Sequence, residues 1–299
     1  MKARAVVTGA NGLVGRRVVE RLLARDIPTV AVDRVAGAFD CPFLLADLTQ
    51  AATLDDVLTP DTVVFHLAAR TNVSESVESP LDDFDVNVKG TLEVLESVRR
   101  RRSALVFSSS SSVFDPRAPL PHTETSPKRP SSPYGAGKLA CEGYCSVYHH
   151  CYGLDIRIAR LFNAYGPGMS QYAIYDFFCK IRAAEFSIEI LGDGQQVRDY
   201  LYVDDAALGF LAVAESGQPG EDYNLASGQP TKIIDLARIM TGLLGKPQLD
   251  LRTTGHSFRG DVREWYADIS KIRRIGFEPS VSLADGLSKT TDWLSQQVS

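Results

Sequence analysis

The stretch SPYGAGK, Ser132 to Lys138, sets a phenol and an ammonium four residues apart. On a helix that spacing places Tyr134 and Lys138 on one face, one turn from each other. A free tyrosine, with a pKa of ~10, is too weak an acid to act as a base near neutral pH. A cation beside it favours the phenolate, which could then take a proton from a substrate hydroxyl. Ser110 lies upstream, at the end of the apolar run ALVFSSS, where its hydroxyl could orient the same substrate oxygen.

A second pattern says what could receive the hydrogen. VVTGANGLVG spaces Gly9, Gly12 and Gly15 by three, directly after an apolar run and before a helical one. Backbone N–H groups and the positive end of a helix converge in such a turn and suit a pyrophosphate, so Asn11, Leu13 and Val14 are candidate contacts alongside the glycines. Asp33 closes the next apolar run, eighteen residues past Gly15. There an acid can accept hydrogen bonds from the adenosine ribose and repel a 2′-phosphate, favouring NAD over NADP, although Arg34 beside it could bind that phosphate. Asp47, followed by Leu48, is placed to read the adenine amine. Leu67, Ala68 and Ala69 offer small residues where the backbone would pass the cofactor. Oxidised nicotinamide would add a second positive charge near Tyr134.

These groups need a scaffold that gathers the ends of several strands. AVVTG, PTVAVD, PFLLAD, TVVFHLA, ALVFSSS and LDIRIARL are short and almost wholly apolar, as strands buried on both faces are. Helical stretches separate them, such as Leu13 to Arg25 with Val14, Val18, Leu22 and Leu23 on one stripe. Strand-helix alternation predicts an α/β fold, a doubly wound parallel sheet whose strand ends form a ligand crevice. Beyond Asn163 the rhythm loosens. GPGMSQYAI and LGDGQQVRDY read as glycine-rich connections, and helices are expected at 204–215, 232–244 and 283–295. The division expected is residues 1–164 for the dinucleotide and 165–299 for a smaller substrate-binding lobe, partly interleaved with the first.

Composition closes off other classes. The 299 residues carry a net charge of -5, and the one basic run, RRRR at 99–102, ends a helix whose dipole favours cations, so no nucleic-acid partner is expected. No apolar stretch reaches the ~18 residues of a membrane helix, and no leader pattern precedes ARAVVTG. Five cysteines, Cys41, Cys141, Cys145, Cys151 and Cys179, form no C-x-x-C pair and suit reduced thiols in a cytoplasmic enzyme. His149, His150 and Cys151 read as a helix end rather than a metal site.

Taken together, TGANGLVG, VFHLAA, VNVKGT, FSSSSSVF, SPYGAGK, RLFNAYGPG, GDGQQVRDYLYVDDAA, YNLASG and GDVREWYADISK resemble the extended short-chain dehydrogenase/reductase family, in its nucleotide-sugar epimerase/dehydratase branch, over nearly the whole chain. The resemblance implies NAD on the first lobe and a nucleoside-diphosphate sugar between lobes. It implies Ser110 as catalytic hydroxyl, Tyr134 as base and Lys138 as the lysine on the nicotinamide ribose. Asn87 and Asn163 match active-site and sugar-diphosphate contacts, Arg198 the arginine on the diphosphate, and Asp261 an acid near the nucleoside. A homodimer through the tyrosine-bearing helix is implied likewise.

The dehydratases of that branch carry Asp-Glu after the catalytic hydroxyl, where this chain has Ser111 and Ser112. A serine cannot take up a proton near pH 7, so elimination lacks its acid and base. A 4-epimerase of the UDP-glucose/UDP-galactose type fits best. A 4-keto nucleotide-sugar reductase, a dehydratase and a non-catalytic dinucleotide sensor are the alternatives. Trp265 falls where such epimerases vary pocket size, and its bulk points to an unacetylated hexose. Phe114, Asp115 and Phe258 depart from the family pattern.

Overall fold

The computed structural model describes residues 2–256 and 262–297. In chain order the first half runs β1 (Arg4–Thr8), α1 (Leu13–Leu23), β2 (Thr29–Asp33), β3 (Phe43–Leu45), β4 (Thr62–His66), α2 (Val73–Glu78), α3 (Pro80–Phe84), α4 (Gly90–Arg101), β5 (Ala104–Ser110), α5 (Pro133–Tyr152) and β6 (Ile156–Leu161). The second half runs β7 (Asn163–Tyr165), α6 (Tyr172–Ala183), β8 (Ser187–Ile190), β9 (Val197–Tyr202), α7 (Val203–Ser216), β10 (Asp222–Leu225), β11 (Pro230–Lys232), α8 (Ile233–Leu243), β12 (Asp250–Thr253), β13 (Glu264–Trp265), α9 (Ser270–Arg274) and α10 (Leu283–Gln297).

Seven parallel strands form the main sheet in the order β10-β6-β5-β4-β1-β2-β3. The order reverses at β1, so the carboxyl ends of β1 and β4 diverge into a crevice. Alternate residues face opposite layers. Val6, Val64, Leu105 and Phe107 pack with Val94, Val98, Cys141 and Cys145 of α4 and α5. Ala5, Val7, Phe65 and Val106 pack on the other side with Val18 and Leu22 of α1 and Phe210 of α7. That is why the central strands read as unbroken apolar runs: neither face meets water.

The second half is not set apart. β10 completes the main sheet beside β6, α7 lies against α1, and the apolar core continues from the sheet into α6, α8 and α10. Beside it, β9 pairs with β7, β11 and β13, while β8 pairs with β12. The two glycine-rich stretches are only half connection. α6 opens at Tyr172 within the first, and β9 at Val197 within the second. Their turns are made at Gly166, Gly168, Gly192 and Gly194, after which apolar side chains resume the core.

Two histidines are buried where the sequence gives no warning. His66 closes β4 between the hydroxyls of Thr8, 2.8 Å from Nδ1, and Thr91, 3.0 Å from Nε2. Burial lowers its pKa to about 3. His122 stacks on Phe114 at 4.7 Å and meets Trp265 edge-on at 4.8 Å, and neither ring nitrogen has a partner among the described residues. Its pKa falls to about 4.

Both folded-state values lie below the ordinary imidazole value, so both groups support the fold above pH ~6.5 and oppose it as pH falls toward 4, by ~1.4 kcal/mol per unit each. His122→Leu removes one of them. Thermal melts from pH 7 to pH 4.5 are expected to show a shallower fall for that variant than for the parent. Parallel curves would contradict the assignment of His122 as a neutral, unpartnered core group.

Candidate functional site

The glycine loop joins β1 to α1. Gly9 has φ +70°, and a Cβ there would stand 2.7 Å from the Ala68 amide nitrogen, so the loop touches the chain leaving β4. Gly12 caps α1 without a side chain, and the first turn holds no acid. The amides of Leu13 and Val14 therefore point out of the helix toward the crevice with no side-chain acceptor among the described residues. Asp33, at the end of β2, accepts from the amides of Asn11 (2.9 Å) and Val35 (3.2 Å) and holds the loop against β2. Asp47 accepts from the Thr49 amide and hydroxyl, which, with Arg34 near it, lower its pKa. Leu48 lies beside it, next to the start of α4 at Gly90. An uncapped helix end, a small-residue loop and an acid at the end of the second strand are the donor and acceptor set that a dinucleotide's pyrophosphate and ribose require.

Beyond Leu67, Ala68 and Ala69 the chain is held by Asn87. Its Oδ1 accepts from the Arg70 amide at 2.8 Å, and its Nδ2 donates to the Arg70 carbonyl and to Asp83, each at 2.9 Å. Asn87 thus shapes the wall of the crevice from beneath.

The chemistry-bearing groups meet where β5 ends against α5. Ser132 caps α5 by accepting from the Gly135 amide at 3.1 Å, and Pro133 comes next, so the helix starts where Tyr134 must sit. A Cβ on Gly135 would lie 2.4 Å from the Ser112 carbonyl; only glycine lets α5 come this close. Three consecutive serines then hold three residues of α5. The Ser108 carbonyl accepts from Lys138 Nζ at 2.8 Å. Ser109 donates to Glu142 Oε1 at 2.6 Å. Ser110 stands by the Tyr134 phenol and favours its ionised form, and its Oγ donates to that of Ser112 at 3.2 Å. Ser111 is buried beside them.

Burial pushes the Tyr134 phenol above its ordinary value; the nearby Ser110 hydroxyl pulls it down, while Tyr172 and Asp83 push it up. Lys138 is buried too, which lowers its own pKa, and its ammonium is turned to Ser108, 6.0 Å from the Tyr134 ring centre.

Across the crevice, Asn163 donates to the Asp199 carbonyl at 2.9 Å, and Arg198 on β9 donates to its neighbouring carbonyl at Val197 at 2.8 Å. Trp265 pairs with Arg198 in the β9–β13 ladder and is buried against His122. Asp261 and Phe258 lie outside the described residues. No group of three His, Cys, Asp or Glu among the described residues could hold a metal ion.

The sequence reading missed the anchor beneath this site. Arg160, 1% exposed on β6, clasps Glu142 through two bonds of 2.7 and 2.8 Å and also binds Asp222 of β10. Its signal was available: Glu142 is one further turn along the face that carries Tyr134 and Lys138, and Arg160 interrupts an otherwise apolar strand.

A family model described as the NAD dependent epimerase/dehydratase family matches residues 5–226. A UDP-glucuronate 4-epimerase from Thermodesulfobacterium geofontis is 34% identical, over 98% of this chain and 96% of its own. The crystal structure of a Thermotoga maritima UDP-glucose 4-epimerase with UDP-glucose superposes with a TM-score of 0.92 at 28% identity, over 99% of this chain and 100% of the other. A dTDP-glucose 4,6-dehydratase from Streptomyces venezuelae, with NAD bound, gives 0.88 at 29% identity, over 98% and 97%. The crevice, the triad and these likenesses lead to one conclusion: the chain belongs to the NAD-dependent epimerase/dehydratase family of nucleotide-sugar enzymes, and its cofactor is NAD.

Proposed function

We propose that the chain is a nucleotide-sugar 4-epimerase that interconverts UDP-glucose and UDP-galactose. The observation that carries this reading is the pair of hydroxyls next to Ser110. Ser111 and Ser112 stand where elimination of water would need an acid and a base, and the Ser112 hydroxyl is turned to Ser110. Asp83 is the carboxylate that influences Tyr134, but it is buried and bonded to Asn87, beneath the crevice instead of within it. Epimerisation asks only for a proton acceptor, a group to hold the substrate oxygen, and room for the sugar to turn.

In this reading Tyr134 takes the proton from the C4 hydroxyl while Ser110 holds that oxygen. Lys138 holds the nicotinamide ribose, and Gly9, Asn11, Gly12, Leu13, Val14, Gly15, Asp33, Asp47, Leu48, Leu67, Ala68, Ala69 and Asn87 line the dinucleotide. NAD supplies a hydride acceptor and a positive charge. Residues 165–299 provide the substrate side, with Asn163 and Arg198 toward the diphosphate, Asp261 toward the nucleoside, and Ser111 and Trp265 bounding the sugar. Five free thiols suit a reducing cytoplasm. Val77, Leu81 and Phe84 of the α2–α3 region and Tyr144 and Val147 of α5 are exposed on neighbouring elements, and a second copy covers them in the dimer we propose.

Tyr134→Phe is expected to lower kcat by at least ~100-fold with NAD still bound. Ser110→Ala is expected to move the acid limb of the rate–pH profile to higher pH, since it removes the hydroxyl that favours the phenolate. Near-parent turnover in the first variant, or an unmoved limb in the second, would contradict these roles. Incubation with UDP-, GDP- and dTDP-sugars, UDP-glucuronate included, and then chromatography, should yield the C4 epimer of UDP-glucose. A dehydrated product, or a preference of about tenfold for an N-acetyl sugar, would overturn the reading. Sedimentation should show a dimer that Leu81→Glu with Val147→Glu converts to monomer; a monomeric parent would remove the dimer.

A further inference from the structure

The chain leaving β7 crosses the mouth of the dinucleotide crevice. At Gly168, φ +103°, it passes Leu13 at the start of α1; a Cβ there would lie 3.5 Å from the Leu13 side chain. Met169 is buried in the main core and anchors this end. Three residues on, Tyr172 reaches the opposite wall. Its hydroxyl donates to the Thr71 carbonyl at 3.0 Å and lies 3.2 Å from the Thr71 hydroxyl. Thr71 comes after the loop of Leu67, Ala68 and Ala69, and precedes Asn72, the cap of α2. Ser76 of α2 in turn accepts from the Tyr134 amide at 3.2 Å. Residues 166–172 are thus fastened at the glycine loop on one side and at the β4 loop on the other, with the base beside the second fastening.

Tyr172 holds this place against its backbone preference. Its φ is +71°, a region that glycine enters freely and a bulky aromatic does not. The other described non-glycine residues of that kind, Asp26, Ala52 and Arg102, lie in turns or at a helix end, whereas Tyr172 begins a helix. Strain of this sort persists where the surroundings over-determine it, and it gathers at ligand clamps. Tyr172 is 53% exposed, so it is the hydroxyl and not core packing that ties the side chain down.

We propose that Tyr172 is a latch: its bond to Thr71 holds residues 166–172 across the crevice and retains the bound dinucleotide. The proposal uses the NAD site alone and does not depend on which sugar is turned over. An enzyme that returns hydrogen to its substrate needs its dinucleotide to stay through the cycle, and a strap over the crevice slows its escape without touching the reacting atoms.

The test is the rate at which NAD leaves the loaded protein after rapid gel filtration into nucleotide-free buffer. Tyr172→Phe keeps the ring and removes the latch; it is expected to release NAD about fivefold faster, the loss of one hydrogen bond. Tyr172→Gly also relieves the positive φ. It should release NAD at least as fast as Tyr172→Phe, while the nucleotide-free protein melts no lower than the parent. Release from both variants within about twofold of the parent rate would overturn the proposal. So would faster release accompanied by an equal drop in the nucleotide-free melting temperature of Tyr172→Phe, which would mark a purely structural bond.

Discussion

One face of α5, pinned to the end of β5, is the constraint on which the site depends. Tyr134, Lys138 and Glu142 recur every four residues along the helix, and Ser110, Ser108 and Ser109 meet them in turn through hydroxyl, carbonyl and hydroxyl. Because successive strand residues point to opposite faces, neighbouring serines divide the work: Ser110 meets the phenol, and Ser109 turns to the anchor. Arg160 carries that anchor through β6 to β10, tying the strand from the second half of the chain to the same helix. A buried ion pair of this kind adds little net stability, but losing one partner strands a charge at a cost of about 3–5 kcal/mol. Its value is in fixing where α5 sits relative to β5, and the close approach at Gly135 shows how little room that leaves.

The same burial that fixes the geometry works against the chemistry. Water would stabilise a phenolate and an ammonium, and both Tyr134 and Lys138 are almost wholly withdrawn from it. Their pKa values move toward the neutral forms, up for the phenol and down for the amine. Ser110 pulls the phenol back. In the function proposed above, Tyr134 as base would stay protonated until a positive charge arrives beside it, which would tie proton removal to the presence of an oxidised dinucleotide.

The same physics decided how much of the molecule was legible in its sequence. Five strands of the main sheet stand out as apolar runs because both faces are covered, β3 reads as apolar although its Leu45 is exposed, and the turn after β1 and the Tyr-Lys spacing stand out because their residue types are demanded by backbone approach and proton chemistry. β10 and β9 were hidden: polar residues interrupt each, and β9 comes after a glycine turn that reads as loop. His66, His122 and Arg160 were hidden for another reason. A buried polar residue is defined by what it meets in space, and Thr8, Thr91 and Glu142 are distant in sequence from the groups they satisfy.

The central claim is that the chain keeps Tyr134 protonated on its own and that the bound dinucleotide changes this. Ultraviolet titration of phenolate, read as the difference between the parent and Tyr134→Phe, measures it directly. Without NAD the difference signal should appear only above the ordinary tyrosine range, and with NAD bound it should move down toward neutral pH. A Tyr134 phenolate near pH 7 in the NAD-free protein, or a titration that NAD leaves unmoved, would contradict the account.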